Sequence, residues 1–134
     1  MLITREADYA LRILRALSQH EQMTTKEICD QELLPQQFVY KILKKLDRAG
    51  WVAVLRGING GCRLNTELKS VTLFDLITIM EADKKVSSCM QADFNCPWRE
   101  KHHVCQVHNH LWKIQQELDQ KLQEYTLYDI LFDK

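Results

Sequence analysis

No apolar run in the 134-residue sequence approaches the roughly 20 residues that a bilayer-spanning helix needs. The beginning of the chain lacks the basic, apolar and small-residue succession of a secretory signal. From both absences a cytoplasmic protein without membrane contact is expected. The chain also lacks a charge excess, since 18 Lys and Arg balance 18 Asp and Glu. That balance argues at first against nucleic acid. No nucleophile–base pair, phosphate-binding glycine loop or His-Glu-x-x-His pattern occurs, and there is no C-x2-C pair. An enzyme is therefore not expected. The length suits one compact domain plus an appendage, a multi-domain enzyme with a large internal pocket is not expected, and neither an internal repeat nor a low-complexity segment is present.

The charges that are present are unevenly placed. Residues 1–63 carry a balance of +3 and residues 64–134 a balance of −3. A basic first half suits a DNA-facing surface.

Helical spacing of Ala10, Ile13, Leu14 and Leu17 predicts a first helix over 6–19. Thr24 and Glu27 form a capping box that opens a short helix over about 25–31. A third helix is expected from Leu34-Pro35, with Pro35 in its first turn, Val39, Ile42, Leu43 and Leu46 buried, and Gly50 ending it in a left-handed conformation. The period then changes to that of a hairpin: strand 51–56, a turn at Gly57-Ile-Asn-Gly-Gly61, and strand 62–65. Thr72 and Asp75 cap a fourth helix bearing Leu73, Leu76, Ile77 and Met80. Residues 83–101 show no period. Val104, Val107, Leu111, Ile114, Leu118, Leu122 and Tyr125 then recur at spacings of three and four, the seam of a long amphipathic helix expected to pack on a second copy. The tail 126–134 has no assignment.

Three helices and a hairpin in this order make a winged helix-turn-helix, so a mainly α fold with a two-stranded wing and a long C-terminal dimerisation helix is expected. The expected division is 1–82 for DNA binding, 83–103 for a cysteine-rich loop, and 104–134 for the dimerisation helix and tail. The third helix presents Gln36, Gln37, Tyr40, Lys41, Lys44 and Lys45 away from its apolar stripe. Glutamine amides match adenine edges, and lysines neutralise phosphates. Arg56 and Asn59 belong to the wing, whose glycines permit close approach to a backbone. A solvated helix face and a plain hairpin turn are the alternative readings of the same residues.

The segments Leu34-Pro-Gln-Gln-Phe-Val-Tyr-Lys-Ile-Leu-Lys-Lys-Leu-Asp-Arg-Ala-Gly-Trp-Val52 and Arg56-Gly-Ile-Asn-Gly-Gly-Cys-Arg-Leu64 resemble the Rrf family of bacterial winged-helix transcription regulators, of the IscR and NsrR type. Leu2–Arg12 and Val71–Ile77 are similar to the same family. The resemblance implies a homodimer, probing a pseudo-palindromic operator in double-stranded DNA, with the long helix crossing between protomers.

Of five cysteines, Cys89, Cys96 and Cys105 are spaced C-x6-C-x8-C between the fourth helix and the long one. Thiols of a reducing compartment point to metal or redox chemistry rather than disulfides. A loop bearing three thiolates suits an iron–sulfur cluster, and structural zinc is the alternative. The resemblance implies a cluster, 4Fe-4S favoured and 2Fe-2S possible, completed by one ligand other than cysteine. Asp8 of the partner protomer is the favoured fourth ligand and His108 the alternative, with His102 and His103 also within reach in sequence. Cys29 and Cys62 are read as small buried apolar side chains. The expected function is a repressor gated by its cluster in response to redox state, nitric oxide or iron. The alternative is a cluster-free regulator that answers to zinc, a small molecule or a protein partner.

Overall fold

Helix α1, Arg5–Ser18, is opened by Thr4, whose hydroxyl accepts the Ala7 amide at 3.5 Å. This computed structural model describes residues 3–81 and 84–132. The inner stripe of α1 (Ala7, Ala10, Ile13, Leu14 and Leu17) is buried. Each Ile or Leu so removed from water contributes about 1.5–3 kcal/mol.

Helix α2, Thr25–Glu32, carries the expected capping box: Glu27 N–H donates to Thr24 Oγ1 and Thr24 N–H to Glu27 Oε1, both at 3.2 Å. Leu33, at φ 56°, turns the chain into α3, Gln36–Arg48. Pro35 precedes the first turn of α3 as its N-cap instead of lying inside it. At the other end Gly50 adopts φ 79°, its N–H donating to Asp47 O and that of Trp51 to Leu46 O. Those two bonds satisfy the last carbonyls of α3 and fold Trp51 back onto the core.

Strands β1, Val52–Leu55, and β2, Gly61–Leu64, pair antiparallel with Val52 opposite Leu64. On its other side β2 bonds to the residue before α2: Met23 N–H donates to Cys62 O at 2.9 Å and Cys62 N–H to Met23 O at 2.6 Å. Gly61 makes this approach possible, because a Cβ there would lie 2.7 Å from Met23 O. Helix α4, Leu73–Met80, has the Thr72/Asp75 box and buries Leu73, Leu76, Ile77 and Met80. Helices α1, α2, α3 and α4 with the hairpin enclose one hydrophobic core. The winged helix-turn-helix is the observed fold.

The larger departures lie beyond α4. The expected boundary at 82/83 lies outside the described residues. Instead of an irregular run, 84–105 holds a 3₁₀ turn, Ser88–Met90, and a six-residue helix α5, Pro97–His102. None of the α5 side chains is buried, so no period betrays it. A tight turn centred on His103 (φ 66°), with Val104 N–H donating to His102 O at 2.8 Å, then leads into α6, Gln106–Glu124. Val104 thus precedes the long helix rather than forming part of it.

The chain end, left unassigned by sequence, forms α7, Leu127–Phe132. Thr126 and Asp129 cap it reciprocally at 3.1 Å, and Leu127 is fully buried against the first core. Backbone bonds from Leu73 to Tyr125 and from Leu127 to Val71 fasten this end beside α4.

Candidate nucleic-acid interface and cysteine loop

Helix α3 is held from behind by its apolar stripe and by Phe38, which meets Tyr9 of α1 edge to face at 5.7 Å. Its outer face therefore has a fixed direction. Gln36, Gln37, Tyr40, Lys41 and Lys44 stand exposed there, and the Gln36 amide donates to Tyr40 Oη at 3.4 Å. Between α3 and the hairpin runs a groove of about 420 Å³, lined among others by Tyr40, Lys44, Val54 and Arg56. Among the described residues, neither Lys44 nor Arg56 makes an ion pair. Asn59 is exposed in the wing, and its carbonyl accepts from Gln22 Nε2 at 2.8 Å, which ties the tip to the segment before α2. Ile58 beside it is wholly exposed.

Two of the six helix residues singled out by sequence behave differently. Lys45 turns inward, pairing with Glu6 at 2.6 Å and donating to Met80 O at 3.1 Å. Lys41 pairs with the other oxygen of Glu6 at 2.6 Å. The two ammonium groups hold the Glu6 carboxyl below the usual carboxylate range. Spacing within α3 aligns Lys41 with Lys45, but nothing local announces an acid on α1.

The loop cysteines sit in or at the head of three successive helical turns. Cys89 lies in the 3₁₀ turn, where the Ser87 hydroxyl is 3.2 Å from its sulfur, and Cys96 is the N-cap of α5 before Pro97. Cys105 is the N-cap of α6, its sulfur accepting the His108 amide at 3.4 Å. The His108 ring faces Cys89, with Nδ1 3.4 Å from the sulfur, while its Nε2 lies 3.4 Å from Arg99 Nη1 of α5. Cys89, Cys105 and His108 are thus brought together around the first turn of α6. Cys96 lines a separate opening of about 290 Å³ with Phe94, Arg99 and His103. Asp8 is half-exposed on α1 and pairs with Arg12 at 3.1 Å. Among the described residues no three His, Cys, Asp or Glu side chains converge on one metal position. In chemistry, three half-buried thiols on one segment are a donor set that suits an iron–sulfur cluster, whose ligands are distributed over several irons.

Cys62 is buried and Cys29 half-buried, and burial pushes both thiols up, which disfavours the thiolate form. Sequence reasoning missed Gln115, the buried polar side chain of α6. It accepts the Val86 amide at 2.7 Å and donates to Asp119 at 2.7 Å, which moors the start of the cysteine segment to the long helix.

Residues 3–133 match the family described as Rrf2, iron-dependent transcriptional regulator. The chain belongs to the Rrf2 family. It is 31% identical to protein aau3 of Rhizobium meliloti over 98% of this chain and 85% of that protein. It is 28% identical to the HTH-type transcriptional regulator NsrR of Bacillus licheniformis, over the whole of this chain and 94% of that one. Among solved structures, IscR of T. potens superimposes with a TM-score of 0.68 at 22% identity, covering 99% of this chain and 88% of that one. This Rrf2 protein is accordingly a transcription regulator with a DNA-binding winged helix, and not an enzyme. No helix among its described residues is long and apolar enough to cross a membrane.

Proposed function

We propose that this Rrf2 protein is a cytoplasmic, homodimeric repressor whose hold on a pseudo-palindromic operator is gated by an iron–sulfur cluster, 4Fe-4S in preference to 2Fe-2S. The observation that carries the proposal is the position of Cys89, Cys96 and Cys105: Cys89 lies within the 3₁₀ turn, and Cys96 and Cys105 are the N-caps of α5 and α6, all in the segment that joins the DNA-reading core to α6. A cluster bound there would supply a site that oxygen, nitric oxide or iron shortage can alter.

Gln36, Gln37 and Tyr40 would meet base edges, and Lys44, Arg56 and Asn59 the backbone, across the groove between α3 and the wing. Dimerisation is supported by the apolar residues that α6 leaves at its surface, with Val107 67% and Ile114 52% exposed beside Trp112.

The fourth ligand in this reading is Asp8 of the second copy, whose half-exposed carboxylate would exchange its surface pairing with Arg12 for iron. His108 is the second reading, favoured by its approach to Cys89. Arg99 can only donate, so Nε2 of His108 accepts from it, and Nδ1–H then points at the sulfur. An imidazole so arranged supports a thiolate as a hydrogen-bond donor rather than joining it as a ligand.

Iron and acid-labile sulfide analysis of protein purified without oxygen tests the cluster. Both elements should be present in the wild type and lost together in Cys89→Ala, Cys96→Ala and Cys105→Ala. A wild type that stays colourless and iron-free after anaerobic reconstitution would overturn the gate, leaving a regulator that answers to zinc, a small molecule or a protein.

A further inference from the structure

Glu6 belongs to the first turn of α1, yet its carboxylate reaches across to α3 and takes one lysine on each oxygen, both at 2.6 Å. The two lysines are unequal. Lys45 has a second partner in Met80 O and a side chain only 31% exposed, so it is built into the junction of α1, α3 and α4. Lys41 has Glu6 alone among the described residues, its side chain is 59% exposed, and it lies beside Tyr40 on the face that reads DNA. Glu6 itself is 19% exposed and cannot follow Lys41 outward while Lys45 holds it.

We propose that Glu6 is a built-in competitor of the DNA backbone, holding Lys41 back from phosphate and so limiting how tightly this protein grips DNA of any sequence. The chemistry of the exchange is matched. A carboxylate oxygen and a phosphate oxygen each offer an ammonium group a negative charge and an acceptor lone pair at the same separation. Affinity for arbitrary sequence comes from phosphate contacts, whereas discrimination comes from base edges. Withholding one lysine therefore lowers the first without touching Gln36 and Gln37. The same knot reaches the end of α4, where the Thr4 hydroxyl bonds to Glu81 and Lys45 to Met80 O.

The proposal rests on α3 being the DNA-reading helix, and the test separates the two. Full-length wild type, Glu6→Gln, Lys41→Gln and the double variant are titrated into a fluorescent mixed-sequence duplex over a range of salt, with anisotropy as the readout. Glu6→Gln keeps an acceptor for Lys45 but gives up the charge that retains Lys41. It should bind several-fold tighter at low salt, with a salt slope steeper by about 1, the value of one added phosphate contact. That gain should vanish in the Lys41→Gln background. An equal gain in both backgrounds would mean only that a negative charge had been removed, and would overturn the proposal. So would unchanged or weaker binding by folded Glu6→Gln. If Glu6→Gln does not fold, Glu6→Asp draws the carboxylate away from Lys41, and the same outcomes decide. A wild type that binds no duplex at low salt would overturn the DNA reading of α3 itself.

Discussion

His108 Nδ1 lies 3.4 Å from the sulfur of Cys89, so the first turn of α6 touches the thiol that opens the cysteine segment. The contact joins the cysteine segment to the helix proposed to bridge two protomers. It also gives His108 a role separable from that of a ligand. His108→Ala should retain wild-type iron and sulfide after anaerobic preparation but lose the cluster's absorbance faster on exposure to air. Asp8→Ala should already be depleted of one iron per chain under anaerobic conditions, measured by Mössbauer spectroscopy. The reverse pattern would make His108 the ligand.

Gln115 should matter more than any exposed residue of α6. Replacing it by Leu leaves the Val86 amide without its acceptor on the buried Gln115 side chain, at a cost of about 1–3 kcal/mol in urea denaturation. Gln115→Glu keeps an acceptor for Val86 but sets a second carboxylate where the amide now donates to Asp119. That variant should be destabilised at neutral pH and recover as acid protonates one of the pair. Equal stability of wild type and Gln115→Leu would show that the tether carries no load.

Thiol reactivity should divide the five cysteines. Metal-free protein treated with iodoacetamide at a pH of about 8 should be labelled at Cys89, Cys96 and Cys105 before Cys62. Cys62 is 3% exposed and burial raises its thiol, so the thiolate that reacts is scarce there. Peptide mapping by mass spectrometry reads the order. Early labelling of Cys62 would contradict the closed core around β2.

The lysines of α3 should not behave alike on DNA. Lys44→Ala and Arg56→Ala should each reduce the salt slope of duplex binding by about 1, because both side chains are exposed at the groove without an ion pair among the described residues. Lys45→Ala should leave the slope nearly unchanged and lower the melting temperature, since it strips Glu6 and Met80 O of an inward partner.

These differences mark what local pattern could and could not convey. The boxes at Thr24/Glu27 and Thr72/Asp75, the glycine stop at Gly50 and the switch to a hairpin at Trp51 depend on neighbours in sequence, and they were legible. The same signal, Thr126 followed three residues later by Asp129, also marks α7, but the helix it opens is only six residues long, too short to show a period of its own. Helix α5 has no buried face and so no period. Val104 falls on the seam by spacing, yet the turn at His103 places it ahead of α6. Gln115 lies on the inner face at helical spacing from Leu111 and Leu118, where an apolar pattern skips a polar residue. The inward turn of Lys45 depends on Glu6, 39 residues earlier, a pairing that only the packing of α1 on α3 creates.

Within the site, the thiols were legible as a group because cysteine is scarce and its spacing is open to view. Their geometry was not. Which thiol faces His108, and that Arg99 stands behind the ring, follow from α5 and from the turn at His103.

The gate itself is tested most directly by selection from a pool of randomised duplexes, carried out anaerobically with cluster-loaded protein and, in parallel, with cluster-free protein from the same preparation. One form should enrich a two-fold symmetric site with half-sites about one helical turn apart, and bind it at least tenfold tighter than the other form does. Enrichment of the same site by both forms with equal affinity would contradict a cluster-gated regulator.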